Sequence, residues 1–152
     1  RPVEYTDLPL IEVWLHEGHA KRWFADADDW LTEIRQRHGA FSFLNHYIVT
    51  VGGTPIGFCQ FYDCFDAREE WYGIPDRGGR LFSIDYLIGA ESFMGRGYGK
   101  AFVAKTVELT RDREGSETIV VQPDDDNMLS RKSLEANGFA FAAQNNYYFL
   151  QV

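Results

Sequence analysis

The chain has 152 residues, 45% hydrophobic and 16% aromatic, which suits one domain with an aromatic-rich core and excludes a disordered segment. Its net charge of −8 argues against a nucleic-acid binder, which needs a basic stripe, and favours a cationic partner, although solubility alone makes many surfaces acidic. No apolar run reaches the ~20 residues of a membrane span, and no basic-then-apolar leader pattern opens the chain, so a cytoplasmic location is expected.

In chain order, Thr6-Asp7 followed by Pro9 predicts a helix start, with Leu10, Ile11, Trp14 and Leu15 on one stripe. His16 and His19 lack a third ligand nearby and read as structural histidines more readily than as a metal pair. Residues 26–29 cap a second helix carrying Trp30, Leu31 and Ile34, with Gly39 expected to close it in the left-handed conformation. Residues 47–51 and 56–62 flank Gly52-Gly53-Thr54-Pro55 and predict a β-hairpin. Cys59 and Cys64, with no partner set, read as reduced thiols. Periodicity stops over 63–80, where Asp63, Asp66, Glu69, Glu70, Trp71, Tyr72 and Asp76 form either a solvated loop or a site for an aminosugar or polyamine.

The next stretch organises the chain. Five apolar residues surround one carboxylate in Phe82-Ser83-Ile84-Asp85-Tyr86-Leu87-Ile88, predicting a strand buried on both faces. Asp85 there costs several kcal/mol of desolvation unless compensated, so it is either functional or paired with Arg77 or Arg80. Gly95, Gly97 and Gly99 then lead into a helix over 98–111, a turn whose free backbone N–H groups suit a phosphate, unless the glycines merely cap the helix. A dinucleotide fingerprint would need glycine where Lys100 stands, and a P-loop would need glycine at Met94 and a hydroxyl at Ala101. A strand over 118–122, a helix over 129–136 and a terminal hairpin over 139–151 complete the chain.

The turn Met94-Gly95-Arg96-Gly97-Tyr98-Gly99 resembles the pyrophosphate-binding motif of the GNAT superfamily of N-acetyltransferases, with Met94 replacing the usual Gln or Arg. The later Asn127 and Glu135-Ala136-Asn137-Gly138-Phe139 resemble that family's next motif. With Pro55-Ile56-Gly57-Phe58-Cys59-Gln60 and the Ile84-Asp85 strand, the chain is most similar to the aminoglycoside 6'-N-acetyltransferase branch over residues 8–150. The resemblance implies a single α/β (α+β) domain over 1–152: a mixed, mostly antiparallel sheet with a splayed pair of parallel strands, flanked by helices. It implies acetyl-coenzyme A as cosubstrate, no metal, and a small polycationic amine as acceptor, most plausibly an aminoglycoside, as in antibiotic resistance. No nucleic acid or membrane partner is expected, and the chain is read as a monomer or homodimer.

By the same resemblance Asp85 is the base, the anchor of the substrate ammonium, or both. The coenzyme falls to Tyr86, Leu87 and Ile88 on the strand and to Met94, Gly95, Arg96, Gly97, Tyr98, Gly99 and Lys100 at the turn. Gln122, Asn127 and Ser133 complete that set, Asn127 as ligand, helix cap, or both. The acceptor falls to Trp23, Tyr62, Asp66, Glu70, Trp71, Asp85 and Asp124. Where many members carry a tyrosine aimed at the coenzyme sulfur, this chain has Leu134, which leaves the general acid unassigned. Another acceptor (a siderophore precursor, a polyamine, a protein N-terminus) or a coenzyme-binding sensor are the alternatives.

Overall fold

The computed structural model describes residues 1–69, 77–113 and 115–152. Helices α1 (Leu8–His16), α2 (Gly18–Lys21) and α3 (Ala27–Arg35) come first, then strands β1 (Asn45–Val51) and β2 (Thr54–Asp63) and the short helix α4 (Cys64–Ala67). Strand β3 (Leu81–Ile88), helix α5 (Tyr98–Arg111), strand β4 (Thr118–Val121), helix α6 (Met128–Glu135) and strands β5 (Ala140–Ala142) and β6 (Tyr147–Gln151) follow. The six strands form one sheet in the order β1-β2-β3-β4-β6-β5, antiparallel except for β3 beside β4.

Alternation along the strands builds a core on each face. On one face Ile48, Phe58 and Leu87 pack under Ile11, Trp14 and Leu15 of α1 and Leu31 and Ile34 of α3. On the other, Phe61, Phe82, Ile84, Ile119 and Val121 meet Val103 and Val107 of α5 and Leu134 of α6. Cys59 and Cys64 are free and buried within these layers. Burial pushes the Cys64 thiol up to about 12, which makes it an inert packing group. Among the described residues no helix is long and apolar enough to cross a membrane.

Three expectations need correction. The Trp30 helix ends at Arg35 with Gln36 as its C-cap, and Gly39 is not left-handed; it donates its N–H to Gln36 O at 2.8 Å as one of several tight turns that unwind the helix end. The aperiodic stretch opens with α4, which Asp63 caps by accepting the Phe65 N–H at 2.9 Å. Strand β4 stops at Val121, one residue early, because Pro123 has no N–H to extend a ladder.

The expected splay is present. Strand β4 pairs with β3 only at Leu81↔Thr118, Phe82↔Ile119 and Ser83↔Val120. Beyond Ser83, β3 keeps its other neighbour, β2, as far as Gly57↔Ile88. The second half of β3 is therefore an open edge inside the sheet, and the candidate site lies along it.

Candidate active site

Residues directly opposite in neighbouring strands point to the same face, and the register puts His46, Gln60 and Asp85 in one row across β1, β2 and β3. Gln60 Nε2–H donates to Asp85 Oδ2 at 2.9 Å. Asp85 has no cationic partner among the described residues; Arg80 instead meets Glu117 at 2.6 Å. Burial raises the Asp85 carboxyl to about 6; the Gln60 bond works against that rise and the charge of Glu69 adds to it. A carboxylate lifted toward neutrality by burial and bonded to a neutral amide can exchange protons, whereas one locked to arginine cannot.

Asp85 lies between two cavities. A cleft of about 220 Å³ runs along the open edge of β3, bounded by Tyr86, Leu87 and Ile88, by Val121, Gln122 and Asp124 beyond the splay, and by Asn127, Ser130 and Ser133 of α6. His19 and Trp23 close one end, Met94 and Gly99 bring in the glycine turn, and Asp85 is in the wall. Arg22 stacks over Trp23 at 4.6 Å and pairs with Asp126, tying α2 to the loop before α6 across the cleft mouth.

A second chamber of about 290 Å³ lies on the other side of Asp85, lined by Glu33, Glu69, Asp85, Tyr62, Phe41 and Phe43 among others. Tyr62 Oη donates to Glu69 Oε1 at 3.3 Å. Burial, then the charges of Asp85 and Asp29, push Glu33 up to about 7. Carboxylates beside aromatic faces suit an ammonium-bearing ring compound.

The glycine turn fits a phosphate. Gly97 is the N-cap of α5 at φ 82°, and a Cβ on Gly95 or Gly97 would meet nothing within 4 Å, so the helix N-terminus opens onto free space. Gly99 has a different reason: a Cβ there would come within 2.8 Å of Ser133 Oγ, so glycine lets α5 approach α6. Arg96, Tyr98 and Lys100 surround the turn without lining the cleft; Tyr98 packs on Phe93 at 5.5 Å, and Lys100 is exposed.

The edge of β3 refines the backbone roles. Gly89 donates to Ile56 O at 2.9 Å, and antiparallel alternation then commits Leu87 N–H to β2 and turns those of Tyr86 and Ile88 toward the gap. Leu87 is therefore a wall residue and not a donor. His19 Nε2 takes the Ile88 carbonyl at 2.9 Å, which gives that histidine a structural task. Asn127 does cap α6, accepting the Ser130 N–H at 3.1 Å.

Asp66 is placed differently from the expectation: it sits exposed on α4, the helix capped by Asp63, and lines neither cavity. Glu70 and Trp71, with Tyr72 and Asp76, lie outside the described residues. Glu33, Gln60 and Ser130 were missed. Gln60 could have been found from its in-register place in an apolar strand; Glu33 carries no local signal. Among the described residues no three His, Cys, Asp or Glu side chains are grouped to hold a metal.

With that geometry in view, the acetyltransferase (GNAT) domain family matches residues 4–146. The chain belongs to this family. It is 27% identical over 139 residues to aminoglycoside N(6')-acetyltransferase type 1 of Klebsiella pneumoniae and to that of Serratia marcescens, covering 88% of this chain and 69% of each relative. The crystal structure of the aminoglycoside acetyltransferase AAC(6')-Ib with coenzyme A and kanamycin superposes with a TM-score of 0.84 at 23% identity, covering 99% of this chain and 92% of that one. The Legionella pneumophila aminoglycoside N(6')-acetyltransferase superposes at 0.74 and 15% identity, over 100% of this chain and 89% of its own. These likenesses agree with the GNAT fold seen here, in which the gap between β3 and β4 leads to the glycine turn of α5.

Proposed function

We propose that this GNAT chain transfers an acetyl group from acetyl-coenzyme A to an amino group of an aminoglycoside, at the 6'-position, a reaction of the antibiotic-resistance type. The observation that carries the reading is the place of Asp85, a carboxylate with no cation partner among the described residues, between an open strand edge and an acidic, aromatic chamber. The relatives' acceptor supports the choice of substrate.

The residues fit the coenzyme. Gly95 to Gly99 would hold the pyrophosphate at the N-terminus of α5, and the free backbone of β3 would bond the pantetheine arm as an added strand does. When bound, acetyl-coenzyme A supplies the activated thioester. The N–H groups of Tyr86 and Ile88 face the gap and can polarise a carbonyl. Gln122, Asn127 and Ser133 form the opposite wall.

The chamber with Glu33, Glu69 and Tyr62 would seat the acceptor, with Trp23 and Asp124 at the cleft. Asp85 anchors the reacting ammonium and takes its protons. An amine titrating near ~10 loses a proton to a carboxylate near ~6 at a cost of about 5 kcal/mol; an ordinary aspartate would raise that to about 8. Raising the Asp85 carboxyl thus removes about 3 kcal/mol from the uphill step.

The test is turnover of acetyl-coenzyme A, read as released thiol, with kanamycin-type aminoglycosides, spermidine, hydroxylysine-type amines and peptides as acceptors. Turnover confined to aminoglycosides, with the product acetylated at the 6'-amine, is expected. Turnover with spermidine or peptides alone overturns the acceptor, and coenzyme binding without any turnover overturns the enzyme reading.

A further inference from the structure

The departing sulfur needs a partner, and the cleft holds a side-chain hydroxyl to which the mechanism above, which uses only the backbone N–H of Tyr86, gives no task. Consecutive strand residues project to opposite faces. Asp85 therefore points to the α3 side of the sheet while its neighbour Tyr86 points to the α6 side, and both reach the open edge of β3. The amine arrives at one face of the edge; the other face belongs to Tyr86. Its Oη lies 2.7 Å from Ser130 Oγ and 3.4 Å from Ser130 O, on the first turn of α6. The other cleft hydroxyl on α6, Ser133, is spent on Leu129 O at 2.9 Å. Leu134, one turn beyond Ser130, is fully buried and apolar.

We propose that Tyr86, oriented by Ser130, is a catalytic hydrogen-bond donor to the sulfur that leaves during acetyl transfer. The inference rests on the acetyltransferase reading above. Ser130 Oγ–H donates to Tyr86 Oη, and Tyr86 Oη–H donates to sulfur. The C–N bond forms, the C–S bond breaks, and its electron pair leaves on sulfur. Two protons leave the nitrogen in turn through Asp85 to solvent. Tyr86 keeps its own proton. Burial, opposed by the Ser130 bond and aided by the charge of Asp85, holds the phenol up at about 12. A thiol titrates near ~8.5, so full transfer from the phenol would be uphill by about 3.5 pH units. The phenol thus stabilises a thiolate without being consumed.

The decisive measurement compares wild type, Tyr86→Phe and Ser130→Ala in acetyl transfer and in the binding of free coenzyme A and acetyl-coenzyme A between pH 7 and 10. In wild type, coenzyme A should bind more tightly as its thiol ionises, by about tenfold, while acetyl-coenzyme A affinity stays level. Tyr86→Phe should lose that rise and ~10- to 100-fold in kcat, with acetyl-coenzyme A affinity unchanged. Ser130→Ala should fall between the two, and it carries the test if Tyr86→Phe folds poorly. Equal kcat in all three, or parallel loss of both affinities, overturns the inference while leaving the acetyltransferase reading intact. Wild type that turns over no acceptor strikes the parent reading instead.

Discussion

Gln60 and Asp85 face each other across β2 and β3, joined by a hydrogen bond of 2.9 Å from Nε2 to Oδ2, and among the described residues Asp85 meets this amide and no cation. Since this leaves the carboxyl near about 6, kcat/KM should fall about tenfold per pH unit below ~6. Gln60→Leu removes the bond that holds the value down and should move that acid limb upward. Asp85→Asn should cut turnover by ~10²-fold or more while coenzyme binding persists. A level profile from pH 5 to 7, or near-normal turnover in Asp85→Asn, would contradict the base assignment.

Glu33 carries a cost in stability. Its carboxyl sits at about 7 in the fold against an ordinary 4.5, so the fold favours the protonated form. That contribution is fully present below pH 4.5 and is lost as pH rises through about 7. Glu33→Gln should therefore raise the Tm at pH 8, by the equivalent of about 2 kcal/mol, and change it little near pH 4.5. The same variant should weaken acceptor binding at pH 8. Equal Tm shifts at both pH values would show that Glu33 acts through packing and not through its charge.

The contrast between Gln60 and Glu33 shows how far the sequence reaches. The open strand, the glycine turn and the motif before Phe139 are local patterns, and the family fold with its splayed strands could be read from them. Asp85 stood out because a carboxylate inside an apolar strand demands a reason. Glu33 has none of that: it joins the site because α3 folds over the same sheet face as Asp85, a contact set by packing across fifty residues of chain. Asp66 failed in the opposite way. Its composition suited the acceptor, but the stretch forms the short helix α4 with Asp66 on the exposed surface, a turn no spacing rule foretold.

Gly97 tests the phosphate position. The space above it is open and its φ is 82°, so Gly97→Val combines an obstructed cradle with a strained backbone. Coenzyme A affinity should fall at least ~10-fold, with far-UV circular dichroism unchanged if the strain stays local. Unchanged affinity, measured by calorimetry, would mean that the pyrophosphate lies elsewhere.

Gly99 should behave differently, because its task is to let two helices meet. A Cβ at Gly99 would lie 2.8 Å from Ser133 Oγ but 3.8 Å from Ser133 Cβ, an ordinary contact. Gly99→Ala alone should cost up to about 1 kcal/mol, because the Ser133 hydroxyl must turn away from the new methyl group and give up its bond to Leu129 O. Ser133→Ala loses only a bond back to Leu129 O, made within its own helix, and should be mild. In the double variant the methyl group finds room, so much of the loss should return, giving a coupling of about 0.5 kcal/mol in a double-mutant cycle. Denaturant titration of the four proteins checks this directly. Additive losses would mean that the α5–α6 approach is not what requires glycine at this position, and that the requirement comes from the ligand side of the turn.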